Sequence, residues 1–418
     1  MTYQQLIKLD SYLESDDVQE FITSGIQSLD LAGKRVIVLV PDQTRTMPLP
    51  MVFDAITNAL KGRVNALDFI IALGTHPSLN QDQLSRLFGR RVKNGRIGGH
   101  RIFNHTWSQP DTLREIGVIS ADEMMALTEG YLGEPLHVRV NQRIFEYDHI
   151  LICGPVFPHE VIGFSGGNKY FFPGISGPEI INFTHWLGAL LTSMAVIGTG
   201  YTPIRAVVDR AAAFIKRPKS CFAFVLDKEG VFGTFFGTPE AAWEGASALS
   251  AKKHIITTGR TYQRALAELP EMYDELWVGG KGMYKLEPVI ADGGEVILYA
   301  PHLQRISLSH GGLIKQIGYH VRDYFLKQWD QFRHIPLAVL AHSTHVKGMG
   351  TYDAETGEEH SRILVTLATG IPEETCRQIN LGYKDPESIK VAEWEGRRDE
   401  GILLVKHAGE RLFRVKSN

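Results

Sequence analysis

Val36-Ile-Val-Leu-Val40, running at once into Pro41-Asp42-Gln43-Thr44-Arg45, decides the fold class of this chain. An apolar, β-branched run without alternation describes a strand buried on both faces, because a strand with one wet face would alternate. Working outward, Pro50 to Leu60 has helical spacing, and Phe69-Ile-Ile-Ala-Leu73 is a second buried strand. Asn80 to Leu87 reads as a helix opened by an asparagine cap. Ile150-Leu-Ile-Cys153 and Cys221-Phe-Ala-Phe-Val-Leu226 are a third and a fourth strand. Strands separated by helical segments form parallel βαβ units, so the class is α/β with largely parallel sheets. Ligands of such sheets bind beyond the carboxyl ends of the strands. Three strands here end in polar loops: Asp42 to Arg45, Gly74-Thr-His76-Pro77, and the segment from His159 to Lys169. These loops are expected to converge.

At 418 residues the chain exceeds one ordinary core, and two α/β domains are expected. The first, 1–255, carries the catalytic and cofactor-binding loops. The second, 256–395, closes over the substrate, with an active-site cleft between the two. Its expected strands are Glu275–Val278, Glu295–Tyr299, Ile335–Leu340 and Ile363–Thr366, and the tail 396–418 reads as a hairpin returning to the first domain. Apolar content of 44% and charged content of 22% are those of a globular protein, and a net charge of -3 gives no electrostatic case for nucleic acid or an anionic membrane. Small molecules or further copies of the chain are the expected partners. Three distant cysteines without CxxC spacing indicate neither a disulfide framework nor a zinc ribbon, and the N-terminal residues carry no secretion pattern. A cytoplasmic location is the expectation.

The densest chemistry lies in His159-Glu-Val-Ile-Gly-Phe-Ser165-Gly166-Gly167-Asn-Lys169-Tyr-Phe-Phe-Pro173-Gly174, followed by His185. The lysine rides on a Gly-Gly turn, whose backbone N–H groups could approach an anion closely. The pattern fails as a phosphate loop, since Asn168-Lys169-Tyr170 stands where Gly-Lys-Ser/Thr is required. A lysine so placed can also bind a cofactor covalently through its nitrogen. Arg45 suits bidentate capture of a carboxylate, Asp42 can orient a histidine or a ribose hydroxyl, and His76 at a strand end suits general acid–base work. Asn104-His105 is a weaker candidate. In the second half, His302, His310, His320, His342 and His345 gather in segments read as polar turns, some of them facing the substrate.

Taken together, Asp42, Thr44 and Arg45, Gly74-x-His76, the His159/Lys169/His185 spacing and the Gly-Gly-x-Lys-x-x-x-Pro-Gly loop of 166–174 resemble the lactate racemase family. The resemblance covers about residues 30–200. It implies a nickel-pincer nucleotide (nickel pyridinium-3,5-bisthiocarboxylic acid mononucleotide) joined to Lys169 through a thioamide and supplied by dedicated biosynthesis and insertion enzymes, so that protein made without them would be apo. It further implies that His185 ligates nickel, that His76 and His159 are the paired acid/base histidines, and that Arg45 holds the substrate carboxylate. Asp42 would lie beside the cofactor, with Thr44, Ser165, Gly166 and Gly167 lining its site. The implied reaction is racemisation or epimerisation at C2 of a 2-hydroxy acid by reversible hydride transfer.

The second domain departs from the family. Where a glutamine and a lysine three residues apart reach the substrate in lactate racemase, an approximate alignment puts Asp292 and Glu295. Acidic side chains accept hydrogen bonds from hydroxyls and repel a second carboxylate, so the expected substrate is a sugar acid rather than lactate. Lys281 or Lys285 would assist Arg45, and His302 joins the substrate-binding set. Two alternatives stand beside this reading. One is a zinc-dependent hydrolase using His76, His159 and His185, although no HxxxH or HxH spacing supports it. The other is a non-catalytic protein that holds a nucleotide or a sugar acid.

Overall fold

The computed structural model describes residues 2–416 and divides them into two compact units. The first comprises the residues up to Phe157 together with Ser165–Ile181 and Arg205–Lys253, and the second comprises Pro158–Phe164, Asn182–Ile204 and the residues from His254 onward. The units are thus not two uninterrupted halves of the chain.

The first unit is built on an eight-stranded sheet. Its five central strands, in spatial order Lys219–Leu226, His149–Pro155, Arg35–Val40, Ala66–Ile71 and His100–Asn104, pair in parallel. Antiparallel strands close both edges: Val231–Gly237 and Gln4–Ile7 on one side, Arg96–Ile97 on the other. Val36 to Val40 are fully buried, which is why the run carries no polar residue. The intervening helices Leu49–Leu60 and Gln81–Phe88 cover the sheet with Val52, Phe53, Ile56, Leu84 and Phe88. The second of these helices opens on Asn80, whose side chain accepts from the Gln83 N–H while Gln83 reaches back to the Asn80 N–H.

The strand order sets the position of the site. From Arg35–Val40 the chain steps outward to Ala66–Ile71 and His100–Asn104, then returns to lay His149–Pro155 on the other side of Arg35–Val40. The order therefore reverses between Arg35–Val40 and His149–Pro155. At such a reversal the loops after neighbouring strands diverge and leave a crevice, where α/β sheets bind their ligands. The loops that leave these two strands carry Asp42–Arg45 and the glycine–lysine segment.

The second unit contains a five-stranded sheet in the order Gly382–Tyr383, Leu364–Thr369, Ile290–Ala300, Tyr262–Glu268 and Ile402–Val405, parallel throughout. A separate parallel pair joins Ile255–Thr258 to Leu412–Val415. The expected terminal hairpin is therefore absent, and the tail does not return to the first unit. Each of its strands finds a parallel partner inside the second unit, which satisfies its backbone without a hairpin.

Two expected strands are helical. Ile335–Leu340 belongs to the helix Leu337–Lys347, and Glu275–Val278 to the short helix Leu276–Gly279. Residues Ala338 to Val346 are all buried, His342 and His345 among them, so this stretch has no solvent-facing polar side and shows no 3.6-residue period. It starts after Pro336 and stops at Gly348, whose φ is +85°. No helix among the described residues is long and apolar enough to cross a membrane. Cys153, Cys221 and Cys376 are buried free thiols.

Candidate active site

In the first unit the loops after Arg35–Val40 and Ala66–Ile71 meet through side chains 34 residues apart. Asp42 is buried, and its Oδ1 accepts from the Thr44 N–H (2.9 Å) and the Thr44 hydroxyl (2.7 Å). Its Oδ2 lies 2.7 Å from His76 Nδ1. Burial alone would push the Asp42 carboxyl pKa up. The His76 charge and hydrogen bond, the Thr44 hydroxyl and the Arg45 guanidinium outweigh it and hold the carboxyl well below its ordinary range. Asp42 is thus ionised, and an ionised carboxylate only accepts. His76 therefore donates from Nδ1, which leaves the lone pair of the neutral ring on Nε2. A half-exposed imidazole with its basic nitrogen turned from a buried carboxylate is the arrangement of a general base. Arg45, also partly exposed, supplies the neighbouring cation.

The glycine–lysine segment meets these loops through the backbone, the Gly74 N–H donating to Gly174 O at 2.9 Å. The segment is shaped from beneath. Ser165 donates to Pro155 O and accepts from the Phe157 N–H, so its hydroxyl anchors the turn. Gly166 and Gly167 have φ of +87° and +59°, and a Cβ on them would meet Val156 at 2.6 Å and Trp243 at 2.9 Å. Only glycine fits either position. Asn168 is pinned through its amide to Asp209 (3.0 Å) and Glu240 (2.7 Å), while Arg205, almost fully buried, donates to Gly166 O and lies 4.1 Å from the Trp243 ring. Lys169 follows in a short 3-10 turn, Gly167–Tyr170, and is itself partly exposed. The backbone is thus held from beneath while the side chain is partly exposed.

The second unit holds His159 and His185. His159 is buried on a two-residue strand paired with Gly163–Phe164, and its Nδ1 accepts from the Val161 N–H at 3.2 Å and lies 3.4 Å from Glu160 Oε2. Gly163 closes this turn at φ +85°, where a Cβ would stand 2.2 Å from Thr199 O. His185 lies within the helix Pro178–Leu191, with Nδ1 3.4 Å from Thr184 Oγ1. A primary amine can carry a group covalently, and an imidazole is a nitrogen donor that suits nickel as well as zinc. Among the described residues no group of three or more His, Cys, Asp or Glu side chains that could hold a metal ion is gathered.

Comparison with known proteins bears on this arrangement. Residues 18–198 match the model of the lactate racemase N-terminal domain, the region that carries Asp42, Arg45, His76, His159, Lys169 and His185. Over residues 18–198 the chain belongs to the lactate racemase family. It is 23% identical over 309 residues to the lactate racemase of Thermoanaerobacterium thermosaccharolyticum, a match covering 69% of this chain and 64% of that enzyme's length. The crystal structure of a Thermotoga maritima protein is 32% identical and superposes with a TM-score of 0.90, over 98% of this chain and all of the other. The lactate racemase apoprotein of Thermoanaerobacterium thermosaccharolyticum, 17% identical with a TM-score of 0.72 over 97% of this chain and 94% of that one, shares the fold.

The residues expected to bind substrate in the second unit fare differently from the family's N-terminal motifs. Asp292 and Glu295 lie near the amino end of Ile290–Ala300, opposite the edge where parallel sheets bind ligands. Asp292 is exposed and pairs with Arg362 at 3.1 Å; Glu295 accepts from the Thr366 hydroxyl at 2.5 Å. Lys281 is buried with its amine 4.8 Å from the Tyr273 ring, Lys285 donates to the backbone carbonyls of Gly409 and Glu410, and His302 Nε2 lies 3.1 Å from Tyr273 O. These three brace the loops of the unit.

Sequence reasoning missed a ring cluster at the carboxyl edge of this sheet. Trp277 stands on the short helix Leu276–Gly279 that follows Tyr262–Glu268, and His310 on the loop after Ile290–Ala300, and their rings lie 4.6 Å apart. Helix and loop are joined by the Leu276 and Trp277 N–H groups donating to Arg305 O and Ile306 O. His342, on the buried helix rather than a turn, stacks on Trp277 at 3.9 Å and meets the Tyr319 hydroxyl at 3.2 Å. Burial, then the nearby His345, His310 and His185, hold the His342 pKa well below that of a free imidazole. Only spatial order, invisible in the sequence, unites these rings.

Proposed function

We propose that this protein is a 2-hydroxy-acid racemase or epimerase that inverts C2 with the help of a nickel-pincer nucleotide carried on Lys169. The observation that carries the reading is the ionised Asp42 paired at 2.7 Å with His76 Nδ1, beside Arg45 and at the sheet's reversal point. Arg45 would hold the substrate carboxylate as a bidentate pair. His76 Nε2 would take the C2 hydroxyl proton, and the ionised Asp42 would stabilise the resulting imidazolium. His159 would do the same for the opposite configuration. When bound, the nucleotide supplies an acceptor that removes the C2 hydride and returns it to the other face. That route avoids deprotonating a very weakly acidic C–H. Lys169 would anchor the group and His185 would ligate its nickel.

For the substrate, a sugar acid is favoured over lactate. Trp277, His310 and His342, whose rings gather in the second unit, would offer polar ring nitrogens to a ligand beyond the carboxyl ends of its strands. Hydroxyls can pair with such groups and a methyl cannot. Loading the protein by co-expression with the cofactor biosynthesis and insertion enzymes, and following C2 inversion of lactate, malate, glycerate and aldonates by NMR, tests both levels. An adduct on Lys169 in the intact mass with inversion of none of these acids would refute the racemase reading. Lactate turning over faster than every sugar acid would refute the substrate preference alone.

A further inference from the structure

His159 poses a chemical difficulty that His76 does not. A backbone N–H can only donate, so the Val161 N–H, 3.2 Å from His159 Nδ1, requires a lone pair there. If that were the only partner, the neutral ring would carry its proton on Nε2. Such a ring has no outward lone pair with which to accept a hydroxyl proton. It could not donate its Nε2 proton either without becoming an imidazolate, because Nδ1 would have no proton of its own. For His159 to exchange protons, Nδ1–H must find an acceptor at the same nitrogen.

Glu160 is placed to be that acceptor. Its Oε2 lies 3.4 Å from His159 Nδ1, with 5% of the His159 side chain and 15% of the Glu160 side chain exposed. The turn that holds them is rigid: His159 faces Gly163 in register, the Gly198 N–H donates to Gly163 O at 2.9 Å, and Thr202 Oγ1 donates to Ile162 O at 3.4 Å. Little water reaches the pair, so a carboxylate there competes strongly with one amide.

We propose that Glu160 is a positioning residue for His159, taking the Nδ1–H hydrogen bond in competition with the Val161 amide and thereby turning the lone pair to Nε2. This rests on the racemase reading for its purpose and on the second unit's geometry for its substance. The proton count closes without any other group. The neutral ring, protonated on Nδ1, gains the hydroxyl proton at Nε2 and becomes an imidazolium beside an ionised Glu160. Returning the proton restores the starting pair. Glu160 thus serves His159 as Asp42 serves His76, although it comes from the adjoining residue of a turn rather than from a neighbouring strand's loop.

The test begins on the apoprotein, where no cofactor is needed. Nitrogen-15 NMR of ring-labelled histidines reports the tautomer of His159, assigned by its absence in His159→Gln. In the wild type Nδ1 should show the shift of a protonated nitrogen in a substantial fraction of molecules. Glu160→Gln should move the ring toward the Nε2–H form, and Glu160→Asp should retain the wild-type signature. A wild-type ring wholly in the Nε2–H form overturns the proposal even if neither variant folds, and so does an unchanged tautomer in Glu160→Gln. In the loaded enzyme Glu160→Gln should lower kcat about 10- to 100-fold with KM nearly unchanged, as loss of a charged hydrogen bond made stronger in the transition state does. A purely structural role would instead lower the melting temperature and leave the tautomer alone. If the tautomer responds as expected but wild type inverts no 2-hydroxy acid, the racemase reading fails while the positioning of His159 stands.

Discussion

Asp42→Asn is the sharpest perturbation of the first unit, because the structure dictates how the new amide must sit. Thr44 donates to Oδ1 of Asp42 twice, from its N–H and from its hydroxyl. The asparagine carbonyl must take that position, for an NH2 group there would face two donors. The NH2 group is thereby forced into the place of Oδ2, 2.7 Å from His76 Nδ1. As a donor it obliges Nδ1 to accept, so the neutral His76 ring must move its proton to Nε2 and loses its outward lone pair. Loss of a charge-assisted hydrogen bond alone is worth about 1.5–3 kcal/mol, roughly 10- to 150-fold in rate. A forced change of tautomer costs more: the same substitution beside the imidazole of a serine protease triad lowers kcat about 10,000-fold. The expected fall in kcat/KM is therefore about 1,000- to 10,000-fold, larger than the bond itself explains. It should be measured as C2 inversion by the loaded variant, with the His76 tautomer read by nitrogen-15 NMR in the apoprotein. Retention of activity within about threefold, or a His76 ring still protonated on Nδ1, would refute the reasoning.

Other outcomes follow from the same geometry. Lys169→Ala should abolish the adduct in the intact mass of co-expressed protein while the melting temperature stays within about 2 °C, since the side chain is partly exposed; a persisting adduct would place the attachment elsewhere. Gly154→Ala should destabilise the protein by about 1–3 kcal/mol, seen as a lower urea midpoint, because the new Cβ would stand 1.6 Å from the Tyr170 hydroxyl next to Lys169. An unchanged midpoint would show that Tyr170 can move aside. Burial lowers the pKa of His105 and of His149 to about 4. The folded pKa lies below the unfolded value, so the unfolded chain binds more protons and stability falls as pH drops from about 6.5 toward 4, by about 3 kcal/mol for each histidine. His105→Asn should flatten that slope in denaturant titrations at several pH values. Asp42 has the ordinary carboxylate sign: its stabilisation is present above about pH 4 and is lost as pH falls further through its depressed folded pKa. The wild type should therefore lose its stability advantage over Asp42→Asn in strong acid.

What the sequence revealed, and what it hid, divides by the range of the forces involved. Runs such as Val36–Val40 and Ile150–Cys153 are legible as strands because burial on both faces removes every polar residue from them. The link between Asp42 and His76 is legible only through the rule that ligands gather at strand ends, and the parallel pairing of Arg35–Val40 with Ala66–Ile71 brings those ends together. The helix Leu337–Lys347 was not legible. Burial all round erases the helical period, and the six residues Ile335–Leu340, all apolar or proline, resemble a strand although burial continues to Val346. The ring cluster of Trp277, His310 and His342 depends on three loops and helices meeting, which no local pattern encodes. Glu160 was present in the quoted motif from the start. An acidic residue beside a histidine usually points away from it, and only the tight turn closed by Gly163 brings the carboxylate back to the ring.

The way the glycine–lysine segment is held explains why its sequence is so constrained while its supports are dispersed. A covalently carried group transmits any motion of its anchor to the reacting atom, and a displacement of about 1 Å can cost two orders of magnitude in rate. Attachment at its far end would remove the flexibility of the long lysine side chain, but only the protein can fix the backbone. Here the backbone is fixed twice. Within the segment, two left-handed glycines give a path that no side-chain-bearing residue could follow against Val156 and Trp243. From outside, Arg205 grips Gly166 O while Asp209 and Glu240 grip Asn168, all three arriving from helices 39 to 72 residues further along the chain. Arg205, sealed from water over Trp243, cannot exchange that grip for solvent, so the turn cannot relax without exposing or stranding a buried charge. The partly exposed Lys169 thus follows a turn that is held from beneath, and that is the property by which an anchor would differ from an ordinary surface turn.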